Sequence, residues 1–124
     1  MCVRIFYLMN LEAEILFRLL ADTTRLRAIM LLQAGELCVC EITHALDLSQ
    51  PKISRHLAHL REGGLLLTRR EGLWMFYRIN PELPQWVRDI LQTTLAGNAA
   101  VKPFHDDQRA LAAMPNRPGA ACCA

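Results

Sequence analysis

No stretch of this chain approaches the roughly 18 consecutive apolar residues that a membrane-spanning helix needs, and its first residues carry no signal-peptide pattern. A cytoplasmic protein with no membrane partner is expected. Charge is scarce too: 21% of the 124 residues are charged against 52% hydrophobic, which is apolar for a small soluble monomer. Association that covers part of the surface, such as a homodimer, would absorb the excess. The five cysteines are an odd number and suit a reducing compartment, where thiols act as ligands or sensors rather than as disulfides. The apparatus of a thiol enzyme is also missing. Neither Cys38 nor Cys40 has an arginine six residues on, and no Gly-rich loop follows either one, so an activated nucleophile with an anion cradle is not expected.

What is present begins with Glu36-Leu37-Cys38-Val39-Cys40-Glu41-Ile42, two thiols one residue apart at the head of an expected helix-turn-helix that runs to Gly63-Gly64. Ile42, Ala45 and Leu46 recur at helical intervals, Asp47-Leu48-Ser49 breaks the pattern, and Ile53, Leu57 and Leu60 restart it. Ser49 suits the N-cap of the second helix and Pro51 its first turn. Projected at about 100° per residue, Lys52, Arg55 and His59 face away from the apolar stripe. Lys52 and Arg55 could meet phosphates or guanine acceptors, and Ser49, Gln50 and Ser54 at the helix start could reach base edges. An ordinary solvated helix face would show the same pattern.

Beyond Gly63-Gly64 the run Leu65 to Arg70 reads as a strand, Glu71-Gly72 as a turn and Leu73 to Ile79 as a second strand. The result is a β-hairpin with Arg69 and Arg70 on its basic shoulder. From Ser49 to Arg78 six Lys or Arg face two Glu, a local balance of +4 in a chain of +2, which leaves −2 for the remainder. Positive charge is concentrated where release of DNA counterions would need it. On either side, Leu11, Ile15, Leu16, Leu19 and Leu20, and then Leu83, Val87, Ile90 and Leu91, form apolar helix faces. One closes the core and the other can pair subunits. Asp22-Thr23-Thr24-Arg25 opens a supporting helix from Leu26 to Gln33.

Three segments taken together, Glu36-Leu37-Cys38-Val39-Cys40, Ser49-Gln50-Pro51-Lys52-Ile53-Ser54-Arg55-His56-Leu57 and Gly72-Leu73-Trp74 with Tyr77-Arg78, resemble the ArsR/SmtB metalloregulatory repressors, closest to their arsenical-resistance branch. The resemblance runs from about Leu11 to Leu95. It implies a mainly α, dimeric winged helix-turn-helix repressor that sits on double-stranded operator DNA and leaves it when arsenic(III) or antimony(III) binds cysteine thiolates. Soft thiolates select such ions over magnesium or calcium.

The expected domain spans residues 1–96, with a reading module at 36–79 and a partly disordered tail at 97–124 holding at most a short helix around Asp106 to Ala113. Two residues apart in a regular helix, side chains diverge by about 200°, so binding at Cys38 and Cys40 is expected to unwind the first helical turn. Some arsenical repressors carry a third cysteine three residues after the second; here that residue is Thr43. The neighbouring His44 is more at home as a surface histidine than as a ligand. Either two thiolates suffice, or Cys2, Cys122 or Cys123 completes the site. Cadmium- or lead-responsive and redox-sensing repressors of the same fold remain alternatives. The segment Pro81 to Leu95 has no histidine and only Glu82 and Asp89, which argues against zinc sensing there. Translation could begin at Met1 or at Met9.

Overall fold

A computed structural model describes residues 12–115 and Arg117. Among the described residues six helices and three short strands follow in the order α1 (Ala13–Leu20), α2 (Thr23–Leu32), β1 (Leu37–Cys38), α3 (Val39–Leu46), α4 (Gln50–Glu62), β2 (Leu66–Glu71), β3 (Trp74–Ile79), α5 (Gln85–Asn98) and α6 (Phe104–Ala112). Among the described residues no helix is long and apolar enough to cross a membrane.

The helix boundaries follow local chemistry. Asp22 caps α2, its carboxylate accepting the Arg25 N–H at 3.0 Å. Asp47 closes α3 in the left-handed region at φ 56°, a conformation that Asp tolerates better than most residues. Two residues later Ser49 caps α4, accepting the Lys52 N–H at 3.4 Å, and Pro51 occupies the first turn. The stripe Ile53, Leu57, Leu60 is fully buried against α2 and β2, together with Ile29, Met30, Leu32 and Leu65. At about 1.5 to 3 kcal/mol for each large apolar side chain removed from water, this stripe orients α4 and turns its polar face outward.

β2 and β3 pair antiparallel from Leu66↔Ile79 to Glu71↔Trp74, which leaves Gly72 and Leu73 as the turn. Gly72 has φ 64°, the positive value required at the first position of a tight two-residue hairpin turn and most readily supplied by Gly. The turn therefore falls one residue later than the sequence suggested. β1 adds a third strand on the free side of β3, pairing Leu37↔Tyr77 and Cys38↔Phe76. At two residues it was too short to show a period of its own.

The segment after Gly97, expected as a tail, contributes more than a short helix. Among the described residues α6 makes the most extensive helix-to-helix packing, against α3. Leu111 enters the core and Asp107 is buried. The Asp107 carboxylate grips Arg27 of α2 in a two-pronged pair at 2.9 and 2.7 Å, while Arg27 also donates to the Leu46 carbonyl at the end of α3. Few apolar residues mark α6, so its attachment could not be read from periodicity. Leu16 alone of the α1 apolar residues is fully buried, whereas Ile15, Phe17 and, on α5, Trp86 are exposed. Leu11 lies outside the described residues.

Candidate thiol site and nucleic-acid interface

Cys38 ends β1 and forms the N-cap of α3 in extended backbone, φ −75° and ψ 151°; Cys40 is the second residue of the helix. Because only one of the pair is helical, the helical divergence does not apply. The two sulfurs lie 3.3 Å apart with α3 intact. The expected unwinding is thus not needed to bring them together. Cys38 is buried and Cys40 half-buried.

The first turn of α3 is held by Glu41, 4% exposed. Its Oε1 accepts the Cys38 N–H at 2.8 Å, and its Oε2 accepts from Arg117 Nε at 2.6 Å. The first contact is half of a capping box, with the acid three residues after the cap. That spacing is visible in the sequence, whereas the Arg117 partner has no local signal. Thr43, three residues after Cys40, donates its hydroxyl to the Val39 carbonyl at 2.7 Å. His44 is exposed. Among the described residues no group of three or more His, Cys, Asp or Glu could hold a metal ion. Cys2, Cys122 and Cys123 lie outside the described residues.

The two sulfurs open on a cleft of about 520 Å³ whose other walls come from the reading helix and the hairpin: Gln50 from α4, and Arg70, Trp74 and Met75 from the wing. The two sulfurs thus share one cleft with the start of α4 and with the wing. Gln50, Lys52, Arg55 and His59 are exposed on α4, and Ser54 is half-buried. Ser49 is occupied as the cap but keeps a hydroxyl proton to donate. Behind this face, His56 Nδ1 lies 3.3 Å from an Arg25 nitrogen and 3.6 Å from Asp22 Oδ2. Burial pushes its pKa below the ordinary imidazole value; Asp22 opposes this, and Arg25, Arg55 and Lys52 reinforce it. His56 thus braces the back of the helix as a neutral ring.

The two wing arginines point to opposite faces, as neighbours on a strand must. Arg69 is bound to Glu36 through contacts of 2.8 to 3.0 Å and to Glu71, and its guanidinium lies 4.4 Å from the Phe76 ring centroid. Those carboxylates raise its already high pKa further. Arg70 lines the thiol cleft instead. Arg69 ties the wing to the loop ahead of β1, with its charge balanced by two acids.

A cysteine pair, one buried and one half-buried, built into the front of a helix-turn-helix, a capped helix presenting cations and a three-stranded wing together define a winged helix-turn-helix DNA-binding regulator, not an enzyme. The profile described as bacterial regulatory protein, arsR family, matches residues 22–67. An arsenic resistance transcriptional regulator of Pseudomonas putida is 52% identical over 87% of this chain and 84% of its own length, and the arsenical resistance operon repressor of Escherichia coli is 58% identical over 61% and 66%. The chain belongs to the arsR family of bacterial regulatory proteins, in its arsenical-resistance repressor branch. A solution structure of a homodimeric winged helix-turn-helix DNA-binding domain from Mycobacterium bovis superposes with TM-score 0.59 at 29% identity, over 72% of this chain and 81% of that one.

Proposed function

We propose that the protein is an arsenic(III)-responsive repressor of an arsenic-resistance operon, binding operator DNA as a homodimer and releasing it when As(III) or Sb(III) is held by Cys38 and Cys40. The observation that carries this reading is the pair of sulfurs 3.3 Å apart in a cleft walled by Gln50 and the wing. With metal–thiolate bonds of about 2.3 Å, a bond angle of roughly 90° spans roughly 3.3 Å between sulfurs, whereas a tetrahedral angle needs roughly 3.8 Å. The narrow bite suits a pyramidal ion with a lone pair better than tetrahedral zinc or cadmium. In the reduced protein each As–S bond forms as a thiol proton and an arsenic-bound hydroxide leave together as water, with no change of oxidation state. A third position is filled by solvent oxygen or by Cys2, Cys122 or Cys123.

The reading module, residues 36–79, couples the two events. Lys52 and Arg55 face DNA from α4, with Gln50, Ser54, Ser49 and His59 beside them, and Arg70 meets phosphate from the wing while Arg69 supports it. An ion on the sulfurs sits in the cleft between α4 and the wing, and its binding shifts the two from the spacing they have on DNA. Exposed Ile15, Phe17 and Trp86 on α1 and α5 are the apolar surface that pairing of subunits covers, as the homodimeric neighbour suggests, and two reading helices then address a palindrome.

The test is operator release followed by fluorescence anisotropy. Cys38→Ser and Cys40→Ser should bind operator like wild type yet stay bound at arsenite concentrations that free the wild type, since serine keeps the size and loses the soft donor. A double variant that still lets go at the wild-type concentration would sink the proposal.

A further inference from the structure

A lone exposed leucine is ordinary on a protein surface; Leu73 is set apart by its place. It is the second residue of the two-residue turn at the wing tip and is 99% exposed, whereas Ile15, Phe17, Trp86 and Val101 range from 37% to 53%. It anchors nothing within the chain. The turn does not call for it either, because positive φ falls on Gly72 and not on Leu73, and a turn with Gly at its first position makes no apolar demand at its second. Yet Leu73 lines the same cleft as Gln50 at the start of the reading helix and Arg70 on the wing. An amide suited to base edges, a cation and an apolar tip thus meet at one cleft. Duplex DNA offers a counterpart to each: the base edges of the major groove, the phosphate backbone that separates the grooves, and the floor of the minor groove.

We propose that Leu73 is a specificity-determining residue for operator binding: seated in the minor groove beside each half-site, it selects A·T over G·C at the base pairs beneath the wing tip. The proposal rests on the DNA-facing surface assigned above, with α4 toward base edges and Arg70 on phosphate. Both kinds of base pair show acceptors in the minor groove, and G·C adds the guanine N2 amino donor. Leucine has no acceptor for that donor, so covering it strips its water and leaves it unpaired. Over A·T no donor is lost, and the side chain leaves water for the groove. Arg70 adds affinity without this selectivity, since phosphate is the same at every step.

The experiment uses the full chain and a palindromic duplex that it selects from a random pool. Hydroxyl-radical footprinting, which reports the sugars lining the minor groove, locates the base pairs under the wing. There A·T, G·C, inosine·C and diaminopurine·T are compared by anisotropy titration. Inosine is guanine without the N2 amino group and diaminopurine is adenine with it, so the minor-groove face is exchanged while the major-groove edge is kept. Wild type should bind the A·T and inosine·C duplexes alike, and the G·C and diaminopurine·T duplexes about fivefold to tenfold more weakly. Leu73→Ala and Leu73→Asn should keep the wild-type urea midpoint, because the side chain stands in solvent, and should bind all four duplexes alike. Their salt slope should match wild type, since leucine displaces no counterion, in contrast to Arg70→Ala. A wild type that ranks inosine·C with G·C, or that shows no preference among the four, overturns the proposal. So does a Leu73→Asn variant that keeps the full preference. Failure of the underlying reading looks different: no duplex would be selected from the pool, or Lys52→Ala and Arg55→Ala would bind the selected one like wild type.

Discussion

The reading helix α4 and the C-terminal helix α6 both brace α3, but by different physics. α4 is attached by an uninterrupted apolar stripe, Ile53, Leu57 and Leu60, each buried to 1% exposure or less. α6 is attached by Leu111, by half-buried Phe104 and Ala110, and by a charged clasp between Asp107 and Arg27. The apolar stripe is non-directional and tolerates adjustment; the clasp is directional and fails as a unit. A helix that must be exact in placement relative to DNA sits on the packed core. The C-terminal helix is fastened instead by the directional clasp at one end and a few apolar contacts along its length.

The largest effect should come from breaking the apolar attachment. Leu57→Ala removes a fully buried side chain and should cost about 2 to 5 kcal/mol, read as a lower urea midpoint together with lost operator binding. A near-wild-type midpoint would mean that α4 is held by something other than its stripe. Breaking the clasp comes next. Asp107→Ala leaves Arg27 without its carboxylate, and because that arginine is partly exposed the cost should fall below the 3 to 5 kcal/mol of a fully buried pair, at about 2 to 3 kcal/mol. Earlier proteolytic cleavage near α6 with operator binding retained would show that the two attachments are separable; simultaneous loss of both would show that they are not.

Arg55→Ala should weaken specific operator binding by about 1 to 3 kcal/mol if it reads a base, with no change in the urea midpoint. On the wing the contrast is sharper. Arg70→Ala should lower the salt slope of binding by about 0.9, one phosphate contact on duplex DNA, and Arg69→Ala should change it less because two acids already balance that charge. Equal slopes for the two variants would erase the distinction between them.

The smallest effect is set by His56 behind α4. Its folded pKa lies below the unfolded value of about 6.5, since burial is the largest influence on it. The unfolded chain therefore takes up the proton first, and stability should be full at pH 7.5 and fall as pH drops below about 6.5. His56→Gln should flatten that fall between pH 7.5 and 5.5 in urea titrations. An identical pH slope in the variant would remove His56 as its source.

The sequence by itself determined the elements whose information is local. Helical spacing marks α4, Ser49 and Pro51 mark its start, and Gly72 marks the hairpin, because period, cap and turn are each written within a few residues. The adjacent thiols and the cations of the reading face were legible in the same way, as were the arsR-family motifs that run through them. Only the tertiary structure decided how those residues meet. Leu37-Cys38 became a strand because β3 offered an unpaired edge, and this moved Cys38 out of the helix and set the sulfurs side by side. Arg69 turned to Glu36, 33 residues away, and left Arg70 at the cleft. The Arg27–Asp107 and Glu41–Arg117 pairs span 80 and 76 residues. A charged contact at that range leaves no periodic trace along the chain, since its partners are brought together by the fold and not by their spacing.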